Sequence, residues 1–335
     1  MSKRLAVVGT LLVDTIHRPD LAIVESFGGI AYSVAYLAAL ADQTAHAAPR
    51  VGVQPICRVG ADVWDDVTAA WRQFPCLDLS LLIREPGAAP RNTLVYGGGG
   101  GEVGGEGGAE AVGVGDRSEC PTGLLAPLSD QDIVLANGAD LILVNCITGK
   151  DISLAALRIL SAGCGRVYLD VHSLVLGFAD DGKRFYRQPP DGLEWLSCAD
   201  VVQCNRAEAA TLAGLDAFEH DPSGVDEFLQ GQLVWASNRQ PGRPSVVVLT
   251  EGAKGATLLW RHDGRVERAL IPAPAVEVLD PTGAGDAFGA GYALAWLLGA
   301  GPREAAALGT RTGAAACTVS GIPEAARLQK ALEAL

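Results

Sequence analysis

One carboxylate, Asp286, follows three residues with almost no side chain, Gly283, Ala284 and Gly285, and opens an apolar run from Ala287 to Leu298 that reads as a helix buried on all sides. Small residues let backbone N–H groups approach a ligand closely, and the first N–H groups of a helix have no partner within it. With the helix dipole behind them, they form an anion site. For the aspartate, these residues leave two readings open. It caps the helix, or it takes the proton from whatever attacks the bound anion.

Other chemistry-bearing residues are scattered along the chain. Thr250-Glu251-Gly252-Ala253-Lys254-Gly255 follows the buried strand Ser245–Leu249 and offers a hydroxyl, close backbone amides and a cation, all suited to phosphate oxygens, although many β-hairpins begin with such a turn. Asn205 and Glu208 have the spacing of a capping box. Asp14 closes the segment opened by the β-like run Leu5–Val8, and Gly28-Gly29 precede a helical pattern from Ile30 to Ala41.

The elements that must position these groups alternate. Leu141–Val144, Val167–Leu169 and Val201–Val202 are short apolar runs separated by helical segments such as Ile152–Leu160, which argues for a parallel sheet with helices on both faces. Asp62 reads as the N-cap of a helix from Val63 to Gln73. Pro302 starts a helix running toward Val319, and Pro323 starts a last one. Nine of the twelve residues from Gly97 to Gly108 are glycine, too flexible a run for a regular element, and it reads as a mobile loop.

Composition bounds the function. The 335 residues are 49% hydrophobic and 19% charged, which excludes a disordered chain and suffices for a large core. A net charge of −13 argues against nucleic acid or an anionic membrane as partner, so a phosphate-bearing ligand must rely on local features. Eight cysteines without C-x-x-C spacing, most among apolar neighbours, suit reduced thiols in a cytoplasmic protein. The basic and apolar start is a first strand rather than a signal peptide, because Asp14 interrupts it and no small-x-small site follows. No Walker sequence G-x-x-x-x-G-K-[ST] is present, which disfavours an ordinary P-loop kinase.

Asp280, Thr282, Gly283, Ala284, Gly285, Asp286 and Phe288 fit the pattern D-T-x-G-A-G-D-x-F, and the stretch resembles the C-terminal signature of the ribokinase-like (PfkB) family of carbohydrate and nucleoside kinases. The resemblance extends in order over nearly the whole chain. It implies one α/β domain over 1–335, a mostly parallel central sheet flanked by helices, and a small β-lid from segments near 10–20 and 90–118. It implies transfer of the γ-phosphoryl group of ATP, with Mg²⁺, to an alcohol of a small polyol, Asp286 acting as base and Gly283, Ala284 and Gly285 holding the transferring group. The family pattern puts Asp14, Gly28, Gly29 and Ser33 at the polyol, with Ser33 in place of the family's asparagine. It puts Asn205, Thr250, Gly252, Gly255, Ala314 and Cys317 at the nucleotide, Glu208 near Mg²⁺ through water, and Asp280 and Thr282 at a K⁺-type monovalent-cation site of some relatives.

His172, where the family often has asparagine, is a second departure on the acceptor side and is assigned no role. The two departures keep open a kinase of a non-sugar alcohol such as a vitamin precursor. A sensor that has lost turnover is the rival from another class, disfavoured by the intact Gly283–Asp286 run. A monomer or homodimer without nucleic-acid or membrane partners completes the expectation.

Overall fold

The computed structural model describes residues 2–18, 22–44, 49–96, 117–163, 165–217, 222–239 and 245–334, so the Gly97–Gly108 run and Cys164 lie outside the described residues. Strands β1 (Lys3–Val8), β2 (Leu11–His17) and β3 (Val24–Gly29) lead into helix α1 (Ile30–Gln43), and β4 (Val51–Ile56) and β5 (Arg58–Gly60) precede α2 (Trp64–Trp71). After β6 (Ile83–Glu85), β7 (Arg91–Tyr96) and β8 (Arg117–Thr122) come α3 (Asp130–Val134), β9 (Leu141–Asn145), α4 (Leu154–Gly163) and β10 (Val167–Asp170). A small hairpin, β11 (Leu176–Phe178) and β12 (Arg184–Tyr186), precedes α5 (Gly192–Ser197), β13 (Val201–Asn205), α6 (Arg206–Leu212) and α7 (Pro222–Arg239). The chain ends with β14 (Val246–Thr250), β15 (Ala256–His262), β16 (Arg265–Ile271), α8 (Ala284–Leu297), α9 (Pro302–Cys317) and α10 (Ala325–Glu333).

Eight strands form the central sheet in the order β4-β1-β9-β10-β13-β14-β15-β16. The first six run parallel, and the last two continue as an antiparallel meander. Strand alternation sorts side chains to the two faces. Leu5 and Val7 join a core with α1, α8 and α9, whereas Ala6 and Val8 join another with α3, α4 and α7. Burial on both faces explains why the parallel strands read as unbroken apolar runs. This is the expected α/β architecture.

A second, four-stranded sheet has the order β3-β2-β7-β8. It corrects the reading of Asp14 as the end of a segment. Asp14 lies inside β2, opposite Ser26 on one side and Asn92 on the other, and is buried. Partners that distant in sequence leave no mark on the local pattern. Asp62 is also corrected, because α2 starts after Val63 without a side-chain cap. The Asp62 carboxylate instead accepts the Ala89 N–H at 2.8 Å and pairs with Arg91 at 2.6 Å, joining the turn to the start of β7. Among the described residues no helix is long and apolar enough to cross a membrane.

The turn between β14 and β15 depends on Gly255, at φ 100°, where a Cβ would lie 2.0 Å from the carbonyl oxygen of Ile271. Gly264, at φ 75° in the next turn, has open space around it. Gly264→Ala should therefore cost about 1 kcal/mol for the dihedral alone. Gly255→Ala should exceed it by at least ~1 kcal/mol, because backbone must move as well. Urea midpoints of the two variants measure the difference, and equal losses would show that the overlap is relieved freely.

Candidate active site

Parallel pairing brings the carboxyl ends of successive strands to one sheet edge. Asn145 of β9 is level with Asp170 of β10, Asp170 with Gln203 of β13, and Asn205 with Thr250 of β14. Ligands of open α/β sheets bind along that edge. The N-terminus of α8 is tied to it by a buried chain. Tyr168 Oη donates to Gln203 Oε1 at 2.5 Å, and Gln203 Nε2 donates to the Gly285 carbonyl at 3.0 Å and to Asp170 Oδ2 at 3.1 Å.

Gly283 is the N-cap of α8, left-handed at φ 79°, and a Cβ there would stand 2.3 Å from the Tyr32 ring. No side chain caps the helix, so Asp286 is a first-turn acid and not the N-cap. Its Oδ1 accepts from Asn145 Nδ2 at 2.5 Å, and the same amide reaches Ser33 Oγ at 3.3 Å. The Ala284 N–H is turned to the Pro281 carbonyl at 3.2 Å and so is not free to meet a ligand.

One pocket joins the second sheet to this edge, and its lining includes Asp14, Gly29, Tyr32, Asn92, Gly283 and Asp286. Asn92 Nδ2 donates to Asp14 Oδ1 at 3.2 Å, while Asn92 Oδ1 and Tyr32 Oη are buried and have no hydrogen-bond partner among the described residues. Burial, reinforced by the carboxylates of Asp14, Asp280 and Asp286, pushes the Tyr32 phenol well above its ordinary value, so it remains a neutral donor. Glu119 and Arg184 complete the polar wall. The Arg184 guanidinium lies over the Phe178 ring at 4.5 Å and donates to the Thr148 and Ser173 carbonyls at 3.2 and 3.4 Å.

Of the residues expected at the polyol, Asp14 and Gly29 line the pocket. Gly28 leaves room for the Asp14 carboxylate, which would lie 1.9 Å from a Cβ there. Ser33 is fully buried under Asn145 and acts on the pocket only through it. The expected nucleotide residues lie elsewhere. Asn205 and Glu208 form a reciprocal capping box, 2.9 and 2.8 Å, at the start of α6. Thr250 and Gly252 flank the turn after β14, and Gly255 serves the fold. Ala314 is buried in α9, and the Cys317 carbonyl accepts the Leu279 and Asp280 amides behind the turn before α8.

His172 opens the segment after β10 at φ 33°, a strained value for a residue other than glycine, and it also lines the pocket. Its Nδ1 is 3.8 Å from Glu208 Oε1. Burial works against the imidazolium, but the Glu208 carboxylate, with Asp170 and Asp286 behind it, outweighs burial and raises the pKa to about 9. Burial pushes the Asp170 carboxyl well up, opposed by His172 and reinforced by Glu208 and Asp286. Carboxylates this close suit a hydrated divalent ion. Among the described residues no three His, Cys, Asp or Glu side chains converge to ligate a metal directly.

The expected monovalent-cation residues do not fit an ion. Asp280 is fully buried, its Oδ1 accepts the Thr282 N–H at 3.0 Å, and its Oδ2 accepts Ser320 Oγ at 3.0 Å with Arg18 Nη1 at 3.4 Å. Thr282 Oγ1 is bound to Tyr96 Oη at 2.7 Å. Asn145, Asn92, Tyr32, Glu119, Arg184 and Arg18 had no assigned role in the sequence. Asn145 alone left a usable signal, as a polar residue ending a buried strand.

Comparison with known proteins bears on this arrangement. Residues 181–326 match the pfkB family carbohydrate kinase model. Inositol 3-kinase of Zea mays is 48% identical over 81 residues, 24% of this chain and 20% of that protein. An acarbose 7(IV)-phosphotransferase of Actinoplanes is 40% identical over 78 residues, 23% of this chain and 26% of that protein. The chain thus spans about a fifth to a quarter of the length of these relatives. Among solved structures, a pyrophosphate-dependent kinase in the ribokinase family, complexed with a pyrophosphate analog and myo-inositol, superposes with a TM-score of 0.71 at 14% identity, covering 99% of this chain and 100% of that one. Fructokinase from Vibrio cholerae, bound to fructose, ADP and calcium, gives 0.68 at 20% identity over 99% and 98%. The family match over residues 181–326 and the shared architecture over nearly the whole chain agree with the signature at Asp280–Phe288.

Proposed function

We propose that this protein is an ATP-dependent kinase that transfers the γ-phosphoryl group to a hydroxyl of a sugar, sugar derivative or nucleoside. The observation that carries the reading is the shared pocket of Asp286 and Asp14, walled by buried polar atoms of Tyr32 and Asn92 that have no partner among the described residues. Unpaired buried polar groups cost free energy, and a polyol offers both donors and acceptors to them. The names of the inositol, acarbose and fructose kinases support a polyol acceptor.

In this reading, the acceptor hydroxyl attacks the γ-phosphorus, its proton passes to a carboxylate oxygen of Asp286, and the bond to the ADP oxygen breaks. Asn145 orients that carboxylate from the sheet edge. First-turn amides of α8 and the Arg184 and His172 cations offset charge on the transferring group. Thr250, Gly252 and Lys254 receive the nucleotide at the far end of the same edge, with Glu208 placed for a hydrated Mg²⁺, which when bound neutralises phosphate charge. The second sheet acts as the lid of a single domain, excluding water.

Asp286→Asn should lower kcat at least ~10²-fold with the thermal midpoint nearly unchanged. ADP release across sugars, cyclitols, nucleosides and vitamin alcohols checks this, and tight polyol binding without turnover by the wild type would favour a sensor. His172 makes a second, independent prediction. Its pKa of about 9 in the fold lies above the ordinary 6.5, so its stabilising contribution is full below pH 6.5 and is lost as pH rises through 9. Thermal midpoints in chelator should fall over that window, and His172→Asn, which tolerates the positive φ, should flatten the fall.

A further inference from the structure

The Arg18 side chain, only 10% exposed, crosses from the end of β2 in the second sheet to the turn before α8. Nη1 donates to the Leu279 carbonyl at 2.7 Å and lies 3.4 Å from Asp280 Oδ2, while Nη2 donates to Ser320 Oγ at 2.9 Å. Ser320 in turn donates to Asp280 Oδ2. A backbone carbonyl, a buried carboxylate and a hydroxyl are the oxygens that would surround a monovalent ion at Asp280, and each already faces one guanidinium. The Arg18 Nε is itself buried without a partner among the described residues, so its place is set by the two terminal nitrogens and not by a general fit of the side chain.

We propose that Arg18 is a built-in substitute for the monovalent cation, so that the catalytic turn carries its own positive charge and needs no K⁺. A fully buried carboxylate demands a compensating charge, and here the chain supplies it from a separate sheet. The cation is therefore also a strut. It fixes the end of β2, near the Asp14 wall of the pocket, to the turn that sets the start of α8 and hence Asp286. Arg18 is a positioning residue, since it touches the turn and not the pocket.

The proposal deepens the kinase reading, and its test separates the two. Thermal midpoint and ADP release are measured for wild type and Arg18→Ala in potassium chloride and in choline chloride at equal ionic strength. For wild type, both readouts should be the same in the two salts. Arg18→Ala should lose at least ~10-fold in turnover in choline, the scale of an orphaned buried charge, and should regain midpoint and turnover in potassium or guanidinium. Arg18→Lys, which keeps an ammonium on a flexible stem, should remain independent of potassium even if the alanine variant does not fold. Potassium-specific stabilisation of the wild type, or an alanine variant that folds and gains nothing from potassium, would overturn the proposal. If wild type turned over no substrate, the kinase reading would fail while the midpoints still decided the role of Arg18.

Discussion

The buried carboxylate of Asp280 is the constraint on which the turn before α8 and the pocket beside it depend. Removed wholly from water, it is stable only where several groups converge on it, and those groups come from three places: Thr282 in the same turn, Ser320 after α9 and Arg18 from the second sheet. Such a cluster adds little net stability over an apolar packing of equal volume. Its effect is geometric. Satisfying Asp280 fixes the turn against the loop after α9 and against β2 at once, and α8 begins where that turn leaves it. Two further ties support the same junction: Tyr96 of β7 bonds to Thr282, and Ser26 of β3 accepts the Ile322 N–H at 3.0 Å.

Beyond the turn, small residues decide how near the helix comes to its neighbours. At Gly283 the left-handed φ and the Tyr32 ring both exclude a side chain. That ring is thereby pressed against the helix start, with its hydroxyl kept in the pocket. Gly313 of α9 would place a Cβ 3.0 Å from the Ala284 carbonyl, so the small-residue stretch of α9 brings that helix against the first turn of α8. The Cys317 carbonyl, at the end of that stretch, accepts the Leu279 and Asp280 amides.

How much was legible in the sequence follows from the range of the interactions. The alternation of apolar runs and helical segments is local, and it specified the parallel sheet, the capping box at Asn205 and the long helices near the C-terminus. The helix start at Gly283–Asp286 was legible for the same reason, since the glycine turn and the apolar run after it are consecutive. Asp14 and Asp62 were misplaced because their partners, Asn92 and Arg91, are supplied by a strand far along the chain. Ser33 was expected to touch substrate, yet whether a side chain on α1 faces the pocket or lies beneath it is set by packing against β9. Glu119 and Arg184 come from short strands of the second sheet and the β11–β12 hairpin, where periodicity carries almost no information.

A net charge of −13 makes the site itself a problem in electrostatics, because Asp14, Asp170, Glu208, Asp280 and Asp286 all lie in or just behind the pocket region. The arrangement resolves this by pairing each group differently. Asp280 is neutralised by Arg18 out of reach of the pocket, burial and the crowd of carboxylates favour a proton on Asp170, and Glu208 faces the imidazolium of His172. Asp286 is instead held by a neutral amide, that of Asn145. The Asn145 amide thereby ties the first turn of α8 to the carboxyl end of β9, so the sheet edge itself orients the Asp286 carboxylate toward the pocket.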